Sequence, residues 1–199
     1  EYLEKLIAWK DKQLIKIVTG VRRCGKSMLL EIYRNYLKEH GIEEEQIISI
    51  NFEDLDYEEL TDYRKLYKYL KERLIDGKMT YIFLDEIQNV NSWEKVVNSL
   101  KATKNTSIFI TGSNSDLLSS DLATHIAGRY VSFRVTPFTF QEVCDLLKIV
   151  DTNDIENAFL DYMKWGGMPQ RFMQTDDISR KTYLKDIYDS IIIKDIVKR

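Results

Sequence analysis

The chain has 199 residues, with 29 Lys and Arg against 32 Asp and Glu and a formal net charge of -3. That balance argues against a surface built mainly to hold the phosphate backbone of a nucleic acid. An apolar share of 44%, 12% aromatics, only 2 Pro and 8 Gly suit a chain that buries a core, which excludes collagen-like, disordered and low-complexity classes.

No apolar run approaches the roughly 18 to 20 residues that span a bilayer, and no charged-then-apolar leader opens the chain. A soluble, cytoplasmic protein with no membrane partner is expected. Cys24 and Cys144 lack the paired spacing of a zinc site or a disulfide framework and read as reduced thiols. The chain opens at Glu1, and Tyr183, Ile187, Ile191, Ile192, Ile196 and Val197 still cycle at helical spacing as it reaches Arg199, so a further C-terminal segment is expected.

In chain order, Leu14, Ile15, Ile17 and Val18 form a short β-branched run, read as a buried strand ending at Thr19-Gly20. Leu29, Leu30, Tyr33, Tyr36 and Leu37 recur at three and four, which predicts a helix over Lys26 to His40, closed by Gly41. Ile47 to Phe52 and Tyr81 to Leu84 read as strands, with a helix over Leu66 to Ile75 between them. Asn91 and Glu94 fit a capping box opening a helix that carries Trp93, Val96, Val97 and Leu100. Ile108 to Ile110 and Tyr130 to Val135 complete five strands, and the alternation predicts a mostly parallel sheet covered on both faces. Thr139 and Glu142 fit a second capping box, after which three helical segments follow without another strand. The expected division is an α/β core over residues 1–136 and a small helical subdomain over 137–199.

Gly20-Val21-Arg22-Arg23-Cys24-Gly25-Lys26-Ser27 matches G-x-x-x-x-G-K-[ST] between a buried strand and a helix, the context that this phosphate loop requires. A loop that curls its backbone N–H groups around a polyphosphate needs glycine where side chains block approach or where φ is positive. The expected nucleotide-binding residues are Gly20, Val21, Arg22, Arg23, Cys24, Gly25, Lys26, Ser27 and Met28. Lys26 is expected to reach the β and γ phosphates and Ser27 to bind Mg²⁺, aided by the positive end of the helix dipole. At the end of the third strand, Asp85 is placed to hold Mg²⁺ and Glu86 to take a proton from the attacking water. Asn114, with Ser113 and Thr111 competing for the role, is expected to orient that water, and a turn or helix cap is the bland alternative. Arg129, just before the fifth strand, is a candidate arginine finger acting from a neighbouring subunit, against the plain reading of a surface arginine.

These residues resemble a prokaryotic AAA-type (AAA+) ATPase of the group whose phosphate loop reads GVRRCGKS. The resemblance takes in Asn51-Phe52-Glu53-Asp54, Leu84-Asp85-Glu86-Ile87-Gln88, Thr111-Gly112-Ser113-Asn114, the segment from Gly128-Arg129-Tyr130 to Pro137-Phe138, and Trp165-Gly166-Gly167-Met168-Pro169. It implies a three-layer αβα P-loop fold with sheet order 5-1-4-3-2, a helical lid, ATP with Mg²⁺, and a C-terminal domain. The implied activity is ATP hydrolysis coupled to movement of that domain, with a homo-oligomer if the arginine finger acts in trans. A slow nucleotide-controlled assembly switch and a small-molecule kinase are the alternatives.

Other features have plainer readings. The eight carboxylates from Glu43 to Glu59 read as a solvated loop rather than a metal cluster. Cys24 reads as a compact loop filler. Gly166-Gly167-Met168-Pro169, after the helix carrying Ile155, Ala158, Phe159, Tyr162 and Met163, read first as a helix stop and turn, with close approach of the backbone to the nucleotide as the alternative. From Asp151 onward eight Lys and Arg face nine acids, so no nucleic-acid footprint is evident.

Overall fold

The structure, a computed structural model, describes residues 1–103, 105–112, 126 and 128–193. Two compact units are present: Glu1–Thr19 with Lys26–Arg134, and Gly20–Gly25 with Val135–Arg199.

The first unit is built on five parallel strands, β1 (Ile15–Thr19), β2 (Ile47–Asn51), β3 (Thr80–Asp85), β4 (Thr106–Thr111) and β5 (Tyr130–Arg134). Their order is β2-β3-β4-β1-β5, which is the implied order read from the other edge. With helices on both faces this is a three-layer αβα P-loop fold. The helices are α1 (Tyr2–Ala8), α2 (Lys26–Glu39), α3 (Tyr63–Glu72) and α4 (Trp93–Lys101). β1 and β4 are buried along nearly their whole length, which is why they read as continuous apolar runs rather than alternating ones.

Strand alternation sorts the side chains onto two faces. On one, Ile15, Ile17, Ile82, Leu84, Ile108 and Ile110 pack with Leu66 and Leu70 of α3 and with Trp93, Val96, Val97 and Leu100 of α4. On the other, Phe83 and Phe109 stack at 4.9 Å, and Tyr33 of α2 packs its ring 5.0 Å from Phe109. Each fully buried side chain of this size contributes roughly 1.5–3 kcal/mol, so two such layers hold the strand ends in register.

Three local expectations are corrected. Helix α1 has no counterpart in the sequence reading, because a seven-residue segment burying only Leu6 carries little periodicity. α3 begins at Tyr63, three residues before the expected Leu66, since Asp62 caps it by accepting from the N–H groups of Arg64 and Lys65. The Asn91/Glu94 capping box does not form. Ser92 is the N-cap residue, with no side-chain bond, and Asn91 is drawn into a bridge with Asp62 while its N–H donates to Thr61 O at 3.2 Å. The acidic stretch is used locally: Glu43 and Asp54 cap 3₁₀ turns, and Lys78 pairs with Glu43 at 2.5 Å.

In the second unit, helices span Phe140–Leu147, Thr152–Trp165 and Asp177–Ile191, with a 3₁₀ turn at Pro169–Met173. The Thr139/Glu142 capping box forms as expected. The apolar stripe of Thr152–Trp165 is not buried, since Ile155, Phe159 and Met163 are exposed, although Phe140 packs edge-on against Phe159. Gly166 ends that helix, its N–H donating to Tyr162 O at 2.7 Å. Gly167 is a close-approach glycine whose partner is the Phe138 backbone. A Cβ there would lie 1.9 Å from Phe138 O, and Phe138 N donates to Gly167 O at 2.8 Å. Arg171, 1% exposed, locks the same corner by pairing with Asp161 at 2.8 Å and donating to Gly166 O at 2.5 Å.

Candidate functional site

The loop Gly20–Gly25 joins β1 to α2 in the chain. Gly20 has φ 151, and a Cβ there would meet Val135 O at 2.3 Å and Cys24 Sγ at 2.8 Å, so a side chain is excluded. Arg23 is left-handed at φ 62 and Gly25 has φ 105, and loops that alternate hand in this way are the ones that form anion-binding concavities. Cys24 is buried, and its thiol faces Val135 O at 3.5 Å, the filler role expected for it. Val21, Arg23, Ser27 and Met28 are exposed, and Arg22 is half-buried.

Lys26 and Ser27 open α2. Lys26 is 5% exposed, and its Nζ stands 3.9 Å from Glu86 Oε1. An ammonium and a carboxylate taken out of water together cost several kcal/mol each unless paired, so the fold has committed both groups to this position.

The two acids stand at the C-terminal end of β3, the edge where open α/β sheets bind ligands. Phe52 N–H donates to Asp85 O at 3.1 Å, and the Thr111 hydroxyl at the end of β4 donates to Asp85 Oδ1. The same Thr111 oxygen accepts from Glu86 N–H at 3.0 Å. Glu86 is left-handed, with φ 54 and ψ 47, and only 8% exposed. A non-glycine residue held there costs of order 1–3 kcal/mol, and such positions concentrate at functional sites. Gln88, on the 3₁₀ turn Ile87–Asn89, donates from Nε2 to Glu86 Oε2 at 2.5 Å.

Thus Lys26, Asp85, Glu86 and Thr111 are brought together within the first unit, and Gln88 joins them. Of the residues competing to orient water, Thr111 instead pins the two acids, while Asn114 and Ser113 lie outside the described residues. Arg129 is not part of this constellation. Its carbonyl accepts from Ile15 N–H at 3.0 Å at the opposite edge of the sheet, four strand positions or about 13 Å below the acids. Its guanidinium lies 3.4 Å from Asn98 of α4. A role in the same chain's site is therefore excluded.

The donor set at α2 and β3, a serine hydroxyl and a carboxylate, is hard oxygen and suits Mg²⁺. Among the described residues no three His, Cys, Asp or Glu gather as a cage.

The AAA domain family matches residues 12–144, two thirds of the chain. The chain belongs to this family. Its match to an AAA domain makes it a nucleotide-binding AAA module. It is 41% identical over its whole length to an uncharacterized protein of Haemophilus influenzae, covering 50% of that protein. It is 35% identical to the uncharacterized protein MJ1544 of Methanocaldococcus jannaschii, over 93% of this chain and 42% of that one. The chain thus spans half or less of the length of these curated relatives. Among solved structures, Saccharomyces cerevisiae Hsp104 in complex with casein matches at TM-score 0.52 and 14% identity, over 73% of this chain and 28% of that one. At that identity the likeness supports the fold alone. No described helix is long and apolar enough to cross a membrane.

Proposed function

We propose that this AAA module binds Mg²⁺ and ATP and hydrolyses ATP to ADP and phosphate. The observation that carries the reading is the meeting of Lys26 with Glu86 at 3.9 Å beside an Asp85 anchored by Thr111. A buried ammonium next to a buried carboxylate is the pair that a transferring phosphoryl group and its attacking water need.

In this reading the backbone of Gly20–Gly25 and the N–H groups at the start of α2 hold the phosphates, with Lys26 on the β and γ groups. Ser27 and Asp85 hold Mg²⁺, whose charge neutralises the phosphate oxygens when bound. Glu86 accepts a proton as the water oxygen bonds to the γ-phosphorus, and the bond to the bridging oxygen breaks with its electron pair leaving on ADP. Asn114 remains the proposed second contact to that water. Arg129, too remote to act in its own chain, is assigned to a neighbouring subunit's nucleotide. Residues 1–136 then form the ATPase core and 137–199 a helical lid, and turnover drives movement of a domain beyond the chain.

Calorimetry with ATP and Mg²⁺, paired with phosphate release, tests this. Glu86→Gln keeps ATP affinity and loses turnover, whereas Lys26→Ala loses affinity. Unchanged turnover in Glu86→Gln would refute the assignment.

A further inference from the structure

Gln88 belongs to none of the roles above, yet it touches the proposed base. An ionised carboxylate only accepts, so the Gln88 atom facing Glu86 Oε2 at 2.5 Å is the amide nitrogen. Lys26 faces the other carboxylate oxygen, so the group is held at both ends. The far atom of the same amide, Gln88 Oε1, is buried and has no hydrogen-bond partner. A buried acceptor left open costs about 1–3 kcal/mol, and such groups are rare enough in folded proteins to require a reason.

The left-handed turn at Glu86 is what allows this. Thr111 fixes Glu86 N–H, the chain reverses into the 3₁₀ turn, and the side chain two residues on comes back to the carboxylate. The unpaired Oε1 is thus the consequence of committing the other end of the amide to the proposed base.

We infer that Gln88 is a positioning residue for the proposed base, its nitrogen holding one oxygen of Glu86 so that the carboxylate stays turned to receive the proton of the hydrolytic water. This rests on the ATPase reading. During attack the water oxygen bonds to the γ-phosphorus, one proton passes to Glu86, and the other stays on the new phosphate oxygen. The electron pair of the broken bond leaves on ADP. Glutamate at this position has the length but no donor, and asparagine has the amide but not the reach.

The test uses the intact protein as wild type and as Gln88→Ala, Gln88→Glu and Gln88→Asn. All three are expected to lower kcat about a hundredfold, the effect of a misplaced reacting group, with KM and calorimetric ATP affinity within about twofold. In the nucleotide-free protein, the Gln88 side-chain amide NMR signal is expected to shift in Glu86→Ala. A kcat within about twofold of wild type in Gln88→Ala, or an amide signal indifferent to Glu86, overturns the inference and leaves the ATPase reading standing. Equal losses of kcat and ATP affinity mean a structural role and also overturn it. A wild type that releases no phosphate from ATP removes the ATPase reading, and this inference with it.

Discussion

Lys16 gives a prediction about the scaffold that holds the site. It lies in β1, fully buried, with Nζ donating to Lys12 O at 2.5 Å and Ser107 Oγ at 3.0 Å and lying 5.1 Å from the Phe109 ring centre. Burial pulls its ammonium from 10.5 down to about 8, with Asp11 opposing. The unfolded chain holds that proton up to about pH 10.5, while the folded chain releases it near 8. Between those values the unfolded state binds more protons, so stability rises with pH. A gap of about 2.5 pH units at about 1.36 kcal/mol each sets a ceiling near 3 kcal/mol. Above about pH 10 the slope reverses, because burial pushes the Tyr33 and Tyr81 phenols up while their unfolded counterparts ionise. Urea unfolding at half-unit steps from pH 7 to 10.5 reads this. The wild type gains stability from pH 8 to about 10, whereas Lys16→Met shows no rise and begins to fall as pH nears 10, because Tyr33 and Tyr81 remain. Replacing Lys16 also removes two hydrogen bonds, so the slope rather than the absolute stability is decisive. Parallel slopes in the two proteins would refute the reasoning.

Other outcomes follow from contacts already described. Gly167→Ala drives a Cβ into Phe138 O and is expected to destabilise by about 2–4 kcal/mol, read by urea midpoints. Thr111→Val removes the hydroxyl shared by Asp85 and Glu86 N–H. It is expected to cost about 1–3 kcal/mol of stability and to lower kcat more than ATP affinity, measured by phosphate release and calorimetry. If Arg129 serves a neighbouring subunit, mixing Arg129→Ala with Lys26→Ala restores part of the turnover that each lacks alone. A mixture no more active than its parts contradicts that assignment.

The strands were legible in the sequence because each is a brief apolar run bounded by polar turns, and a parallel sheet buried on both faces needs that pattern. The phosphate loop was legible because its glycines and lysine are fixed by spacing, and the Asp85-Glu86 pair because it ends a buried strand. Cap positions were less so. Asn91 has the right chemistry for a cap, but tertiary pairing with Asp62 takes it elsewhere. The placement of Arg129 needed the register of β5 on β1, which no local pattern encodes. The Gln88 contact depends on a left-handed glutamate, a conformation that residue type alone argues against. Thr111 carried a legible signal, since a hydroxyl ending the strand next to β3 is placed to reach its acids.

The central claim is that Lys26 and Glu86 act on one phosphoryl group. Phosphate release from ATP by the intact wild-type protein, with Mg²⁺ and with excess chelator, beside Glu86→Gln and Lys26→Ala, tests it most directly. The account predicts release only from wild type with Mg²⁺, with ATP still retained by Glu86→Gln. Release that persists in chelator, or undiminished in either variant, would contradict it.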